Sequence, residues 1–366
     1  MNDFYISYKM SFQEIPIINL QEAYDANTKS DFLIKLQHAL INVGFLLLTG
    51  YEIVEGGPKK QDFESIEQQS REFFNLDYKY KKQIEMINSP HFLGYTRLGN
   101  EITAAKQDWR EQIDLATELP GPTPIDPIYK NIEGPNLWPD ESQLPNFKPT
   151  ILNYIEKMTK LSLIFKSLVA ESIGLSSTAF DEFFKPNQQV KMKLVAYPEV
   201  SNETQGVGPH RDSDLLSYIY QVTDHKNSLQ VQNWQGDWIT VPYHPNTLVV
   251  NVGQTLEAIT QGVCKATIHR VLIPELNSGT RISIPFFQTI NLDSFKKVLQ
   301  LPQNILDKTK ERDKTIEKWG QIGFQFIPNI NQDPVGVSVF KNRIKSHQDV
   351  AQRWYPEILE QVLQEY

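Results

Sequence analysis

The sequence predicts an α+β protein with a mainly β core. A jelly-roll sandwich or barrel sits beside a helical N-terminal region and is followed by a C-terminal helix. Three observations predict this. From Gln189 the chain breaks into short apolar segments separated by turn residues, the pattern of a sandwich or barrel. Before that point, longer segments repeat their apolar residues at helical spacing. After Phe287 the chain returns to charged, helical material.

In chain order, residues 15–20 (IPIINL) read as a short strand and residues 30–42 as an amphipathic helix. Residues 44–49 (GFLLLT) are a short apolar run beside glycines, hence a buried strand. Residues 62–84 carry Phe63, Ile66, Phe73 and Phe74 among charges, which predicts a helix. Residues 119–149 hold eight of the chain's 22 prolines and predict an irregular surface loop. Residues 150–173 place Ile151, Tyr154, Ile155, Met158, Leu161, Phe165 and Leu168 on one broad helical face, and Gly174 marks the stop. The strands that follow are VKMKLVAY, LLSYIYQV, LQVQN, WITVP, TLVVNVG, ATIHRVLI and RISIPFF. The run 308–314 reads as a solvated helix face and 346–364 as a final helix. This gives three regions: 1–188 helical and mixed, 189–295 the jelly-roll core, and 296–366 a helical extension on the core.

The chain has 366 residues, with 36 Lys and Arg against 44 Asp and Glu, a net charge of −8. An acidic surface repels phosphate backbones and anionic lipid, so neither nucleic acid nor membrane is an expected partner. Cys264 is the only cysteine, which excludes an intramolecular disulfide and a thiolate metal cluster and suits a reducing compartment. Residues 1–10 have neither the apolar core of a signal peptide nor the arginine bias of a transit peptide. The densest apolar run, 43–48, is too short to span a bilayer. The expectation is a cytoplasmic protein that acts on a small molecule and needs no obligate protein partner.

Three residues of the β region carry the chemistry. His210 and Asp212 are two apart, so on extended chain both face one way. His269 lies 57 residues beyond Asp212 in a later strand that a jelly roll can bring alongside. Two imidazoles and one carboxylate on one face of an octahedron are the non-haem Fe(II) oxygenase arrangement. Arg281 and Ser283 share one face of a strand shortly after. An arginine fork with a neighbouring hydroxyl suits a carboxylate, as on a small 2-oxo acid chelating the metal by its other end. His225 and His244 sit among turn residues and read as solvated loop histidines. Cys264 reads as a buried filler, and strand alternation allows only one of Phe286 and Phe287 to face the metal.

These motifs resemble the isopenicillin N synthase-like, 2-oxoglutarate/Fe(II)-dependent dioxygenase family, in its fungal form. The family pattern is matched by His210, Asp212, Ser217 and Gln221, then LQV at 229–231, WITVP at 238–242, VVNVG at 249–253, HRV at 269–271 and the RxS segment at 281–287. In the N-terminal half, IPIINL, NVGFLLLTGYEI, Gly94–Tyr95, DWRE at 108–111 and WP at 138–139 are similar to family segments, as is the ending RIKSHQDVAQRWYP. The resemblance implies a double-stranded β-helix binding Fe(II), 2-oxoglutarate and O₂. It implies His210, Asp212 and His269 as metal ligands, and Arg281, Ser283 and Tyr197 as co-substrate contacts. Phe92, Tyr95, Arg97, Leu229 and Phe287 are its substrate-pocket positions. The implied outcome is oxidation, by default hydroxylation, of an unactivated C–H bond in a small organic molecule, as in fungal secondary metabolism, with succinate and CO₂ released. The sequence departs from the pattern at Tyr51, at Gln254, and at Lys193 and Val195, where many plant members have Arg and Asn. Three alternatives stand beside this reading: an oxidase using O₂ without a 2-oxo acid, a catalytically silent metal-binding jelly roll, and a zinc hydrolase.

Overall fold

The computed structural model describes residues 11–103, 106–186, 188–200, 204–295, 297–316 and 333–364; the readings for 1–10 and for the side chains of residues 311 and 314 lie outside what is described. The strands are β1 (Ile17–Asn19), β2 (Phe45–Thr49), β3 (Gly94–Thr96), β4 (Glu101–Thr103), β5 (Lys106–Asp108), β6 (Glu111–Ala116), β7 (Lys191–Tyr197), β8 (Gln205–His210), β9 (Leu216–Gln221), β10 (Leu229–Gln232), β11 (Trp238–Thr240), β12 (Leu248–Val252), β13 (His269–Leu272) and β14 (Arg281–Gln288). The helices are α1 (Lys29–Asn42), α2 (Lys60–Phe74), α3 (Tyr78–Lys81), α4 (Phe147–Ser172), α5 (Gln254–Ile259), α6 (Gln303–Ile316), α7 (Val335–Ser346), α8 (Gln348–Trp354) and α9 (Pro356–Gln364).

Two sheets face each other. The large one runs β1-β2-β12-β9-β14-β7-β6-β3 and the small one β11-β10-β13-β8; β4 and β5 form a separate hairpin. Strand alternation sorts the large sheet's side chains. Phe45, Leu47, Val195, Tyr197, Ile219 and Val249 point inward, against Val207, Leu229, Val231 and Val271 of the small sheet. Leu46, Leu48, Leu194, Tyr218, Ile284 and Phe286 point outward and join the core built with α1, α2 and α4. That outer core anchors the sheet. Phe73 of α2 is fully buried and stacks on Phe147 of α4 at 5.3 Å. Truncating such a side chain to alanine costs about 3–5 kcal/mol.

The long helix predicted for 150–173 begins one turn earlier, at Phe147. It ends at Gly174, whose φ of +77° is open to glycine and strained for other residues. The helix predicted for 62–84 is interrupted. α2 stops at Phe74 and Lys81 reaches back to the Phe74 carbonyl, satisfying the helix end, before α3 and a short 3₁₀ turn complete the stretch. The helix predicted for 346–364 is two helices, because Pro356 drives Tyr355 out of helical conformation (φ −142°, ψ 47°). The run predicted as a solvated face hides one residue. Arg312 is buried and donates to the carbonyls of Ile41, Val263 and Gly262, tying α6 to the core.

The N-terminal half supplies β1, β2, β3 and β6 to the same sheet as the later strands. β8 escapes the sequence pattern because QGVGPH has no apolar alternation. Its Gly206 packs so tightly that a Cβ there would meet the Tyr197 ring at 2.9 Å.

Candidate active site

β13 pairs antiparallel with β8, and their register puts His269 directly across from His210. The two rings lie 4.2 Å apart, and Phe45 of β2 holds His269 from behind, edge-on at 5.2 Å. Asp212 is not on the strand: β8 ends at His210, and the carboxylate is reached through the loop that follows. The i, i+2 argument from extended chain therefore gives the right neighbours through a different local structure. Asp212 Oδ1 stands 3.6 Å from His210 Nε2 and 3.8 Å from His269 Nε2, and one ligand atom from each residue lies within 4.8 Å of the others.

The surroundings orient the three ligand atoms toward one another. His210 Nδ1 is 2.8 Å from the Gly208 carbonyl and His269 Nδ1 is 3.2 Å from the Thr267 carbonyl. Each Nδ1–H is thereby occupied as a donor, leaving both Nε2 lone pairs turned inward. Burial, then the facing His269, holds His210 well below its ordinary pKa. Burial alone would raise Asp212, but the two imidazoles, Ser217 and Asn251 overcome it and keep the carboxylate ionised. Asn251 Nδ2 donates to Asp212 Oδ2 at 2.9 Å, and Ser217 Oγ donates to the same oxygen. Asp214 is pushed well above the usual carboxylate range by burial and by Asp212, so no second charge competes beside the ligands. Two neutral imidazoles and an anionic oxygen are what a divalent first-row metal requires.

The cluster opens on a cavity of about 370 Å³ between the sheets, lined by Tyr197, Val207, Ile219, Leu229, Val271, Arg281, Ser283 and Phe287 among others. At one end lies Arg281, only 2% exposed. It is paired in register with Tyr197, whose ring lies 5.0 Å from the guanidinium carbon, and its Nη1 is 3.4 Å from Ser283 Oγ. No carboxylate lies within 4.0 Å of it among the described residues. Burial depresses its pKa. A buried guanidinium without an anion is costly, and the described residues supply none to Arg281.

The opposite wall is a charged network that sequence reasoning missed. Lys193 stands 3.4 Å from Asp114 and 3.8 Å from Glu101. Arg110 contacts Glu101 and, at 3.3 Å, Asp108. From the C-terminal helices, Arg343 reaches Asp114 at 3.4 Å and His347 reaches Glu101 at 3.7 Å. Burial opposes the ionised form of Glu101, but Arg110 and Lys193 outweigh it and hold the carboxyl far below its ordinary range. Two signals were available: Lys191 and Lys193, two apart in an otherwise apolar strand, and Arg343 with His347 inside RIKSH.

The expected pocket positions separate. Leu229 and Phe287 line the cavity, while Phe286 is buried on the other sheet face against Tyr218. Phe92, Tyr95 and Arg97 do not line it. Phe92, at φ 56°, stacks on Tyr355 of the C-terminal helices. The Tyr95 hydroxyl donates to Glu111, and Arg97 is exposed and paired with Glu85. His225 and His244 are in loops away from the cluster, and His225 contacts the carbonyls of Ser278 and Gly279. Cys264 is buried, with its thiol pushed up to about 12 by burial.

A two-sheet jelly roll carrying a His–Asp–His set on its inner face defines the class: a non-haem oxygenase. Residues 15–141 match the N-terminal region of the non-haem dioxygenases of morphine synthesis, and residues 186–290 match the 2OG-Fe(II) oxygenase superfamily. A 2-oxoglutarate-dependent dioxygenase of Dothideomycetidae sp. is 45% identical over 361 residues, covering 96% of this chain and 95% of that one. A homoarginine-6-hydroxylase of Glycine max is 31% identical, over 83% of this chain and 94% of its own. A full-length Neurospora crassa protein, solved in complex with alpha-KG and thymine, superposes with a TM-score of 0.70 at 22% identity, over 90% and 96% of the two chains, and shows the shared fold. The chain belongs to the isopenicillin N synthase-like 2-oxoglutarate/Fe(II) oxygenase family. It is an oxidoreductase that uses Fe(II), 2-oxoglutarate and O₂. No helix among the described residues is long and apolar enough to cross a membrane.

Proposed function

We propose that His210, Asp212 and His269 hold the Fe(II), that Arg281, Ser283 and Tyr197 hold the distal carboxylate of 2-oxoglutarate, and that the enzyme hydroxylates an unactivated C–H bond of a small organic molecule. The observation that carries this reading is Arg281: a buried guanidinium with no carboxylate partner among the described residues, opening on the same cavity as the metal-ligand set. When bound, the iron supplies the oxidising chemistry, with 2-oxoglutarate converted to succinate and CO₂. The chain's own residues do the rest. Thr267 and Gly208 orient the two imidazoles through their carbonyls, while Ser217 and Asn251 fix one oxygen of Asp212 and leave the other turned toward the imidazoles. Val207, Ile219, Leu229 and Val271 exclude water around the co-substrate, which strengthens the ion pair with Arg281. Val195 lies across from Ser283, so the position of the plant Asn offers no amide to the keto-acid end.

We read the segments 1–188, 189–295 and 296–366 as one catalytic unit, because each contributes wall residues to the cavity. The test is O₂ consumption with and without 2-oxoglutarate, followed by a small-molecule screen for stimulated succinate formation. Dependence on 2-oxoglutarate is expected. Uptake of O₂ that is indifferent to it favours the oxidase instead, with Arg281 holding the organic substrate.

A further inference from the structure

Beside the metal-ligand set a second chamber of about 180 Å³ opens, sharing Asp212, Phe287 and Arg343 with the main cavity. Its walls are apolar at Ile132, Leu292, Val335 and Val339. Into these walls β7 places Lys191, 9% exposed, whose ammonium donates to the Ile132 carbonyl at 3.0 Å. No carboxylate stands within 4.0 Å of that ammonium among the described residues.

The neighbouring acids are committed elsewhere. Asp114 is shared by Lys193 and Arg343, and Glu101 by Arg110 and Lys193. Glu133, which also lines the chamber, faces Lys130 at 3.7 Å rather than Lys191, and Asp212 faces the imidazoles. Lys193, Arg110 and Arg343 meet Glu101, Asp114 and Asp108, whereas Lys191 has no carboxylate at ion-pair distance among the described residues. Arg343 also has capacity to spare: its Nη1 serves Asp114 and His347, and among the described residues its other nitrogens have no partner. Burial pushes Lys191 down to about 7, the response of a cation that lacks its anion.

We propose that this chamber binds the carboxylate of the organic substrate, with Lys191 as counter-ion and Arg343 as second donor, so that the substrate class is small carboxylic acids with an apolar body. The proposal rests on the functional reading above and deepens it. The co-substrate's anchor is a separate place. Lys191 and Tyr197, the rung partner of Arg281, are six residues apart on one strand face, about 20 Å at roughly 3.3 Å per residue. Two anions can thus be held at once, one at each end of β7. The apolar walls then bury the hydrocarbon body and leave the far end of the molecule facing the metal-ligand set.

The test is calorimetric titration of the anaerobic enzyme, loaded with Fe(II) and saturating 2-oxoglutarate, with hexanoate and with hexanamide. The pair differ in charge and little in shape. The wild type is expected to prefer hexanoate by at least about tenfold, the scale of one charge-assisted contact. Lys191→Met is expected to abolish the preference and Lys191→Arg to keep most of it. Arg343→Gln is expected to weaken hexanoate several-fold. In Lys191→Met, 2-oxoglutarate should bind as in the wild type, which shows that the variant is folded. Equal binding of the two probes, binding of neither, or a hexanoate preference that survives Lys191→Met overturns the proposal. A wild type that fails to bind 2-oxoglutarate sinks the Arg281 reading instead, and the hexanoate comparison then judges the chamber on its own.

Discussion

Replacing Arg281 with leucine separates two effects that usually travel together. In the free protein the guanidinium is 2% exposed, and its hydroxyl partner Ser283 is at the long distance of 3.4 Å. The loss is that long contact and the packing of the guanidinium on the Tyr197 ring at 5.0 Å, and an uncompensated buried charge is removed. The variant is therefore expected to be as stable as the wild type or more so, in contrast with the usual loss of about 2–5 kcal/mol when a large buried side chain is deleted. The cost falls on the ligand. A 2-oxoglutarate carboxylate left without its partner loses about 3–5 kcal/mol, on the order of a hundred- to several-thousand-fold in affinity. Calorimetric titration of anaerobic Fe(II)-loaded protein with 2-oxoglutarate measures this, and thermal unfolding with and without the co-substrate measures the stability change. Fe(II) affinity is expected to stay near the wild-type value, because Arg281 is not among the metal-ligand set. A 2-oxo acid with an apolar tail, such as 2-oxo-4-methylvalerate, is expected to restore part of the turnover. An affinity for 2-oxoglutarate within about threefold of wild type refutes the assignment, and so does a variant strongly destabilised without ligand.

Other expectations follow from the same geometry. Ser217→Ala removes one of two hydrogen bonds to Asp212 Oδ2 and is expected to weaken metal binding by about 10- to 100-fold without unfolding the protein, as read by metal titration and circular dichroism. His225→Ala and His244→Ala are expected to keep their metal content and most of their turnover; loss of metal in either contradicts the His269 assignment. Glu101→Gln leaves Arg110 and Lys193 short of a buried counter-charge and is expected to destabilise by about 3–5 kcal/mol at pH 7, measured by urea unfolding. Because the folded-state pKa of Glu101 is depressed, its contribution is fully present above the ordinary glutamate value of about 4.3 and fades as pH falls below it. The gap between wild type and variant should therefore close in acid, and a gap that widens there refutes the pairing.

Much of the core was legible because a strand buried on both faces reads as a short, near-continuous apolar run. β2, β7, β9, β12 and β14 are apolar runs between turn residues, and the structure keeps each of them. Strands whose pairing is set by partners rather than by their own pattern were not legible. β8 is glycine-rich where the Tyr197 ring crowds Gly206 and the Thr103 carbonyl and Gln205 crowd Gly208, while β4 and β5 are three-residue polar segments held by each other. That His210, Asp212 and His269 come together could be read from residue type and spacing, although Asp212 arrives through a loop. The far wall could not be read. Arg343 and His347 come from the C-terminal helices more than 200 residues from Glu101 and Asp114, and no local pattern announces which carboxylates they meet. Phe92, Tyr95 and Arg97 show the converse: a segment that matches a family position spends its side chains on Tyr355, Glu111 and Glu85 and does not line the cavity.

If His210, Asp212 and His269 together hold the iron to which 2-oxoglutarate binds, anaerobic titration of Fe(II)-loaded protein with 2-oxoglutarate reads it out. The metal-to-ligand charge-transfer absorption that develops is expected to saturate at one equivalent in the wild type and to be absent from a folded His269→Ala variant. A wild type that never develops the band, or a His269→Ala protein that develops it at the wild-type concentration of Fe(II), would overturn this ligand assignment.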